Sequence, residues 1–329
     1  MKFGLRYCNT GRYVDPTKAV ELLQAGEAAG FESAWTVEHT VVPAGYESAY
    51  PYSADGRMAN GALDIPLPDP LIWMAYAAAA TTNIKLGTDI LIVPQHNPVV
   101  AAKQIATLDY MSAGRVLLGI GVGWLKEEFD AIGVPFEARG RRTDEYIAAM
   151  RELWSADAPT FKGEFVNFDG AYCRPQPVNK AVPIIVGGHS KAAAKRAGRL
   201  GDGFFPARGA SPEMIDLVKR TAEEHGRDPD AIEIPHSLPD DLKAVIDANS
   251  GMAIAAQAGA LWDEIEIPGQ NLQKKTGSPV KELDQAATDA FAKLDETVTA
   301  KWAEEAGKAG IDAGALIKAA KASVASHSN

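Results

Sequence analysis

Short apolar runs alternate with amphipathic helical stretches along most of this chain, and that rhythm is the strongest constraint on its fold. A strand, a helix and another strand in that order pair their strands in parallel, because the helix crosses back over the sheet before the next strand begins. The apolar runs fall at residues 2–7, 33–38, 85–93, 116–121, 184–186, 203–205 and 231–234. Helices are expected over 16–29, 69–82, 99–111, 141–154, 191–200 and 212–224, with a further charged helical stretch at 125–132. Asp15 and Asp69 stand where N-caps belong, Pro70 suits a first helical position, and Gly30 suits a helix stop. Such units in register predict an α/β fold of the (β/α)8 barrel type rather than an open doubly wound sheet.

At about His236 the rhythm stops, and the expected eighth unit does not follow. Residues 240–259, 286–309 and 313–325 read instead as helices rich in Ala and Lys, and the last arginine of the chain is Arg227. These shifts predict a barrel domain over 1–236, lacking its usual last unit, and a helical tail of different origin over 237–329.

A net charge of −10 argues against a nucleic-acid partner, which would need a basic face. It leaves room for an anionic cofactor held locally by backbone N–H groups at a helix start. No apolar run reaches the length of a membrane span. Cys8 and Cys173 match no metal or redox spacing, and the expectation is free thiols in a cytoplasmic protein. No metal site is expected. A small-molecule substrate is, and a homodimer is compatible with everything read so far.

Loops that follow strands form the catalytic rim of a parallel barrel, which singles out a few residues. Glu38 and His39 close the second run, and a histidine beside a carboxylate suits proton transfer. The run Gly119-Ile120-Gly121-Val122-Gly123-Trp124 departs from the dinucleotide fingerprint, yet alternating glycines let a flat ligand approach the backbone. They serve tight strand–helix packing equally well. Val186-Gly187-Gly188-His189-Ser190 leads into a helix and suits a phosphate, with Lys191 and Lys195 nearby. Asp89 lies in an apolar strand and must find hydrogen bonds or face the rim. Glu127, Glu128 and the arginines at 139–142 read as solvated helix charges. Two insertions break the rhythm: residues 40–68, a candidate lid or substrate wall, and residues 160–177, an expected hairpin.

Taken together these pieces resemble the luciferase-like monooxygenase superfamily, especially its deazaflavin (F420)-dependent branch. The resemblance rests on the stretch from Ala28-Ala29-Gly30-Phe31 to Glu38-His39, on Leu86-Gly87-Thr88, and on Leu118 to Trp124. It also rests on Gly140-Arg141-Arg142-Thr143-Asp144-Glu145-Tyr146, on Pro183 to Gly188, and on Arg196 to Gly203. It covers roughly residues 1–236 and implies an eight-stranded barrel with the cofactor over the strand ends. By position, His39 resembles the family's active-site histidine, with Glu38 sharing the proton work. Asp89–Ile90 resembles the site of a non-prolyl cis peptide under the ring. Val122 and Gly123 would edge the ring, and Val186, Gly187, Gly188 and His189 would hold the phosphate.

Family members that act on sugar phosphates carry an acid where this chain has Trp124, and another where residues 7–9 offer none. The leading expectation is therefore F420-dependent hydride transfer with an unidentified organic substrate. An FMN-dependent monooxygenase is the alternative, and a non-catalytic fusion is the alternative of another class. The tail, with Trp262-Asp263 and Pro268-Gly269, is similar to the C-terminal region of TRAP-type solute-binding proteins. No binding residue follows from that likeness.

Overall fold

The computed structural model describes residues 2–53, 55–58, 63–207 and 211–234, with scattered positions between 284 and 318. The chain divides into two units, Met1–Ser237 and Leu238–Asn329. In the first, strands β1 (Gly4–Leu5), β2 (Ser33–Thr36), β3 (Lys85–Thr88), β4 (Leu91–Ile92) and β5 (Val116–Gly121) precede a short hairpin of β6 (Phe161–Lys162) and β7 (Asn167–Phe168). Strands β8 (Ile184–Gly187) and β9 (Gly203–Phe205) follow. The helices are α1 (Pro16–Ala28), α2 (Pro70–Ala79), α3 (Pro98–Met111), α4 (Lys126–Ala131), α5 (Arg139–Ser155), α6 (Lys191–Leu200) and α7 (Pro212–Glu224).

The main sheet runs β1-β2-β3-β5-β8-β9, with β4 also on β5, and every pairing in it is parallel. This is half of a barrel, and the α/β fold expected from the sequence rhythm is present. The last expected strand is reduced to one parallel bridge, Gly203 to Glu233. The hairpin is antiparallel. An eighth unit, and the tail stretches at 240–259 and 262–269, lie outside the described residues. Of the helices expected over 286–309 and 313–325 only isolated positions are described, and these are helical.

The helices begin where short polar side chains can satisfy their first N–H groups. Asp15 accepts from Thr17 and Lys18, Asp69 from Ile72, Asn97 from Val99 and Val100, Ser190 from Ala193, and Ser211 from Met214. Helix α5 is the exception. Its cap position is Ala138, at φ +58°, with no side-chain hydrogen bond.

Parallel strands covered by helices need apolar residues throughout. Leu86, Leu118, Ile120, Ile184 and Phe204 are fully buried in the sheet, and Leu23, Met74, Ile105, Met150 and Trp154 are buried on the helices packed over it. Arg115, at the start of β5, is buried too. Its guanidinium donates to the carbonyls of Ala78, Thr81, Ile84 and Ser112 and to the Thr81 hydroxyl, stapling the end of α2 to the sheet.

One irregularity shapes the sheet. Leu86 pairs with Val116 and Leu91 pairs with Ile120, so five residues on one side are matched by four on the other. The surplus residue falls at the Asp89–Ile90 peptide, which is cis.

Candidate active site

The C-terminal ends of the strands converge on one cavity of about 910 Å³. Arg6 and Tyr7 come from β1, Glu38 and His39 from β2, and Asp89 and Ile90 from β3. Val122, Gly123 and Trp124 come from β5, and Gly188 and His189 from β8. The strand-end residues expected to act or to hold the cofactor, from Glu38 and His39 to Val186 and His189, thus line one space. Mouths of this kind, with mostly apolar walls and a few convergent polar groups, are where small molecules bind.

Glu38 and His39 do not act on each other. His39 Nδ1 meets Glu128 Oε2 at 3.0 Å, and Glu128 is fully buried. The other oxygen of Glu128 accepts from the backbone N–H of Thr40 (2.6 Å) and Val41 (3.3 Å). Glu38 instead accepts from the backbone N–H of Ile92 and meets His96 Nε2 at 2.8 Å. Burial opposes charging of the His96 imidazole, but the hydrogen bond and negative charge of Glu38 prevail and raise its pKa. The pairing of His39 with Glu38 read from adjacency is therefore corrected. Successive residues leaving a strand point to opposite sides, and each finds a partner from elsewhere in the chain. A carboxylate only accepts, so Nδ1 of His39 carries the hydrogen. Nε2 has no partner among the described residues.

Glu128 and Glu127, expected to be solvated, are the anchors of the 40–68 insertion. Glu127 accepts from the N–H groups of Glu47 (2.7 Å) and Ser48 (3.0 Å). Burial alone would raise the Glu127 pKa, but the Ser48 hydroxyl and these N–H groups hold it down to about 2. Tyr46 closes the insertion on itself, its hydroxyl accepting from Met58 N–H at 3.0 Å. Held this way, the insertion lays aromatic rings along the cavity. Trp124 meets His39, Tyr46 and Tyr50 edge-on at 6.0, 5.5 and 5.1 Å between centroids. Tyr50 meets Tyr52 at 5.2 Å, and Tyr52 meets His189 at 5.0 Å.

The floor is built by the surplus residue of the sheet. Ile90 inserts its side chain between Gly121 and Gly187, where a Cβ on either glycine would overlap it. The alternating glycines of β5 thus make room for a neighbouring strand as well as for a ligand. Asp89 takes a salt bridge from Arg6, Nη2 to Oδ2 at 2.6 Å. Burial raises the Asp89 pKa, and Arg6 counters it.

Across the cavity the first turns of α5 and α6 face inward, through Ala138, Arg139, Gly140, Ser190 and Ala192. Arg139 donates to Gly123 O at 3.1 Å and lies over the Phe136 ring at 3.7 Å, with no carboxylate partner among the described residues. Burial lowers its pKa. Arg196 is bound by Asp144 and Gly140 O. Lys191 and Lys195, the cations expected here, are exposed and outside the cavity lining. They point away because a helix presents only one face to the site, and on α6 that face carries Arg196.

An uncapped helix start, two glycines and an arginine without a carboxylate fit an anionic group, and the Ile90 floor fits a flat one. Among the described residues no group of three or more His, Cys, Asp or Glu side chains could hold a metal, and no helix is long and apolar enough to cross a membrane. Glu128 and Arg6 escape sequence reading because their partners are distant. Glu128 is 89 positions from His39 and Arg6 is 83 from Asp89. The usable signal was the unusual lack of alternation in the charges of 126–130, where Glu128 shares a helix turn with buried Phe129.

Comparison with known proteins agrees with this geometry. The family model described as luciferase-like monooxygenase matches residues 4–320, beyond the point where the strand–helix rhythm ends. An uncharacterized protein of Mycobacterium tuberculosis (strain ATCC 25618 / H37Rv) is 32% identical over 250 residues, covering 75% of this chain and 86% of the relative. An FMNH(2)-dependent dimethylsulfone monooxygenase of Pseudomonas fluorescens is 33% identical over 213 residues, covering 62% of this chain and 53% of its own. Among solved structures, an F420-dependent secondary alcohol dehydrogenase in complex with an F420-acetone adduct superposes with a TM-score of 0.58 at 27% identity, covering 71% of this chain and 67% of that one. The chain belongs to the luciferase-like monooxygenase family, whose members are F420- or FMN-dependent oxidoreductases.

Proposed function

We propose that this luciferase-like protein is an F420-dependent oxidoreductase in which His39 carries the proton that accompanies hydride transfer to or from an organic substrate. One observation carries the reading. The Glu128 carboxylate fixes His39 with hydrogen on Nδ1, which leaves Nε2 free to take a proton from a substrate hydroxyl or, once protonated, to return it. Bound F420 supplies a carbon that accepts or gives a hydride. Ile90, Val122, Gly123, Gly187 and Gly188 would hold its ring, and Arg139 with the first turns of α5 and α6 would hold its anionic end. His189 borders that end. Glu38, tied to Ile92 and His96, positions the floor rather than moving the proton. Lacking a disulfide, with Cys8 and Cys173 both buried free thiols, the chain also suits the cytoplasm.

The FMN-dependent reading is favoured by the 33% identity to the dimethylsulfone monooxygenase. Titration with F420, followed by cofactor fluorescence and run beside FMN, separates the two. Saturable F420 binding with weak or no FMN binding is expected. Binding of FMN alone overturns F420 and keeps the family.

A further inference from the structure

Glu38 clamps the segment that follows the floor. From the end of β2 its carboxylate reaches two points of one stretch, the N–H of Ile92 and, at 2.8 Å, Nε2 of His96. Ile92 lies two residues beyond Ile90, in the strand β4 that pairs with β5. The backbone on either side of His96 is fixed as well. Its own N–H donates to Val93 O at 3.1 Å, and Asn97, the next residue, caps α3.

The clamp depends on charge. The Glu38 side chain is 3% exposed, and a carboxylate so enclosed needs a counter-ion as well as an N–H. Among the described residues His96 is its cationic partner, because Arg6 holds Asp89. The other charged groups facing the His96 imidazole are Asp69, at the start of α2, and Glu128, on α4. On α5, which packs against Val93–Gln95, the first-turn arginines are engaged elsewhere: Arg139 with Gly123 O, Arg141 with Glu164, and Arg142 with the Phe165 ring. Burial opposes the imidazolium, but the three acids outweigh it and hold the pKa above the ordinary 6.5.

We propose that His96 is a positioning residue for the cofactor: protonated, it keeps Glu38 compensated and the Ile90 floor in place, and losing its proton loosens the floor under the ring. The proposal rests on the reading that a deazaflavin or flavin ring lies on Ile90. A deprotonated His96 leaves Glu38 a buried anion beside a neutral ring, and its hold on Ile92 weakens. The contribution of the pair is full below about 6.5 and is lost as the pH rises through the higher value of the folded protein. Cofactor affinity therefore falls on the alkaline side.

The test titrates the full-length protein with F420, and with FMN in parallel, from about pH 6 to 9. The wild-type dissociation constant should rise by about tenfold across that range. His96→Gln keeps a donor toward Glu38 without the charge, and should bind about tenfold more weakly than the wild type at the acid end, with no further loss at the alkaline end. His96→Arg supplies a permanent cation and should bind tightly throughout. The ionisable groups of the cofactor and of the rest of the cavity are the same in all three proteins, so the differences between them report residue 96. A second measurement needs no variant to fold: the pKa of the His96 imidazole, followed by NMR in the wild type, should rise when the cofactor binds, because protonation and binding favour one another.

A wild-type pH profile retained in His96→Gln overturns the proposal and leaves the cofactor reading standing. So does a His96 signal indifferent to the cofactor, or a folded His96→Arg that binds no better than His96→Gln. Binding of FMN alone overturns F420, and the same outcomes are then read on FMN. Failure of the wild-type protein to bind either overturns the reading and the proposal with it.

Discussion

Glu128 decides what His39 can do. A histidine with Nδ1 tied to a buried carboxylate presents one nitrogen, in one tautomer, to whatever enters the cavity. Replacing His39 by Ala should slow turnover by about 10² to 10⁴, the range of a lost proton-transfer group, with the cofactor dissociation constant changed little. Steady-state kinetics beside a cofactor titration would check this, and unchanged turnover removes His39 from the mechanism. Glu128→Gln keeps an oxygen toward Nδ1 and should lose far less activity than Glu128→Ala. The alanine also leaves the N–H groups of Thr40 and Val41 without their acceptor.

At this scale His39 was legible from its place at a strand end, whereas its partner was not. Two adjacent glutamates on a short helix look solvated until the fold brings residues 39–48 against them.

At the scale of elements, α4 is a fastening for the insertion more than a piece of the barrel. Its two glutamates hold opposite ends of the segment from His39 to Ser48 through four backbone N–H groups. The Glu127 pKa lies near 2, below its ordinary 4.5. A depressed carboxyl stabilises above its ordinary pKa and loses that contribution as the pH falls through the folded value. The clasp should therefore hold at neutral pH and open between about pH 4.5 and 2. Trp124 sits against Tyr46 and Tyr50, so its fluorescence reports the opening. In Glu127→Gln that low-pH change should vanish, because the titrating group is gone. A transition that persists unaltered in the variant assigns the clasp to another residue.

The parallel strands and most helix starts were readable from apolar runs, Asp15, Asp69 and the prolines. The docking of the insertion was not, because its rings are spaced irregularly and its anchors, Glu127 and Glu128, lie 79 to 88 positions away.

For the molecule as a whole, a net charge of −10 coexists with a cavity side that we propose receives an anion. The resolution is local: two helix starts, and one arginine without a carboxylate, act over a few ångströms where solvent screening is weak. Arg139→Ala should weaken F420 or FMN binding by about ten- to a hundredfold, the loss of charged hydrogen bonds, and titration measures it directly. Unchanged affinity would place the anionic end elsewhere. The sequence pointed to α6 for this role, and the structure leaves its Lys191 and Lys195 exposed outside the cavity lining. Its companion helix α5 was read over 141–154, but its first turn was not, because Ala138 carries no capping side chain to mark where the helix begins.

The five-against-four pairing of β3 and β4 with β5 has a further meaning. Side chains alternate between the faces of a strand, so a surplus residue restores Leu91 to the buried face that Leu86 occupies and leaves Ile90 to fill the gap between two glycines. The floor of the site is thus written in the length of a strand rather than in any reactive residue. A family search for chemically distinctive side chains would pass over it, and a single-residue deletion there would mend the ladder, keep Leu91 opposite Ile120 on its buried face, and remove the floor.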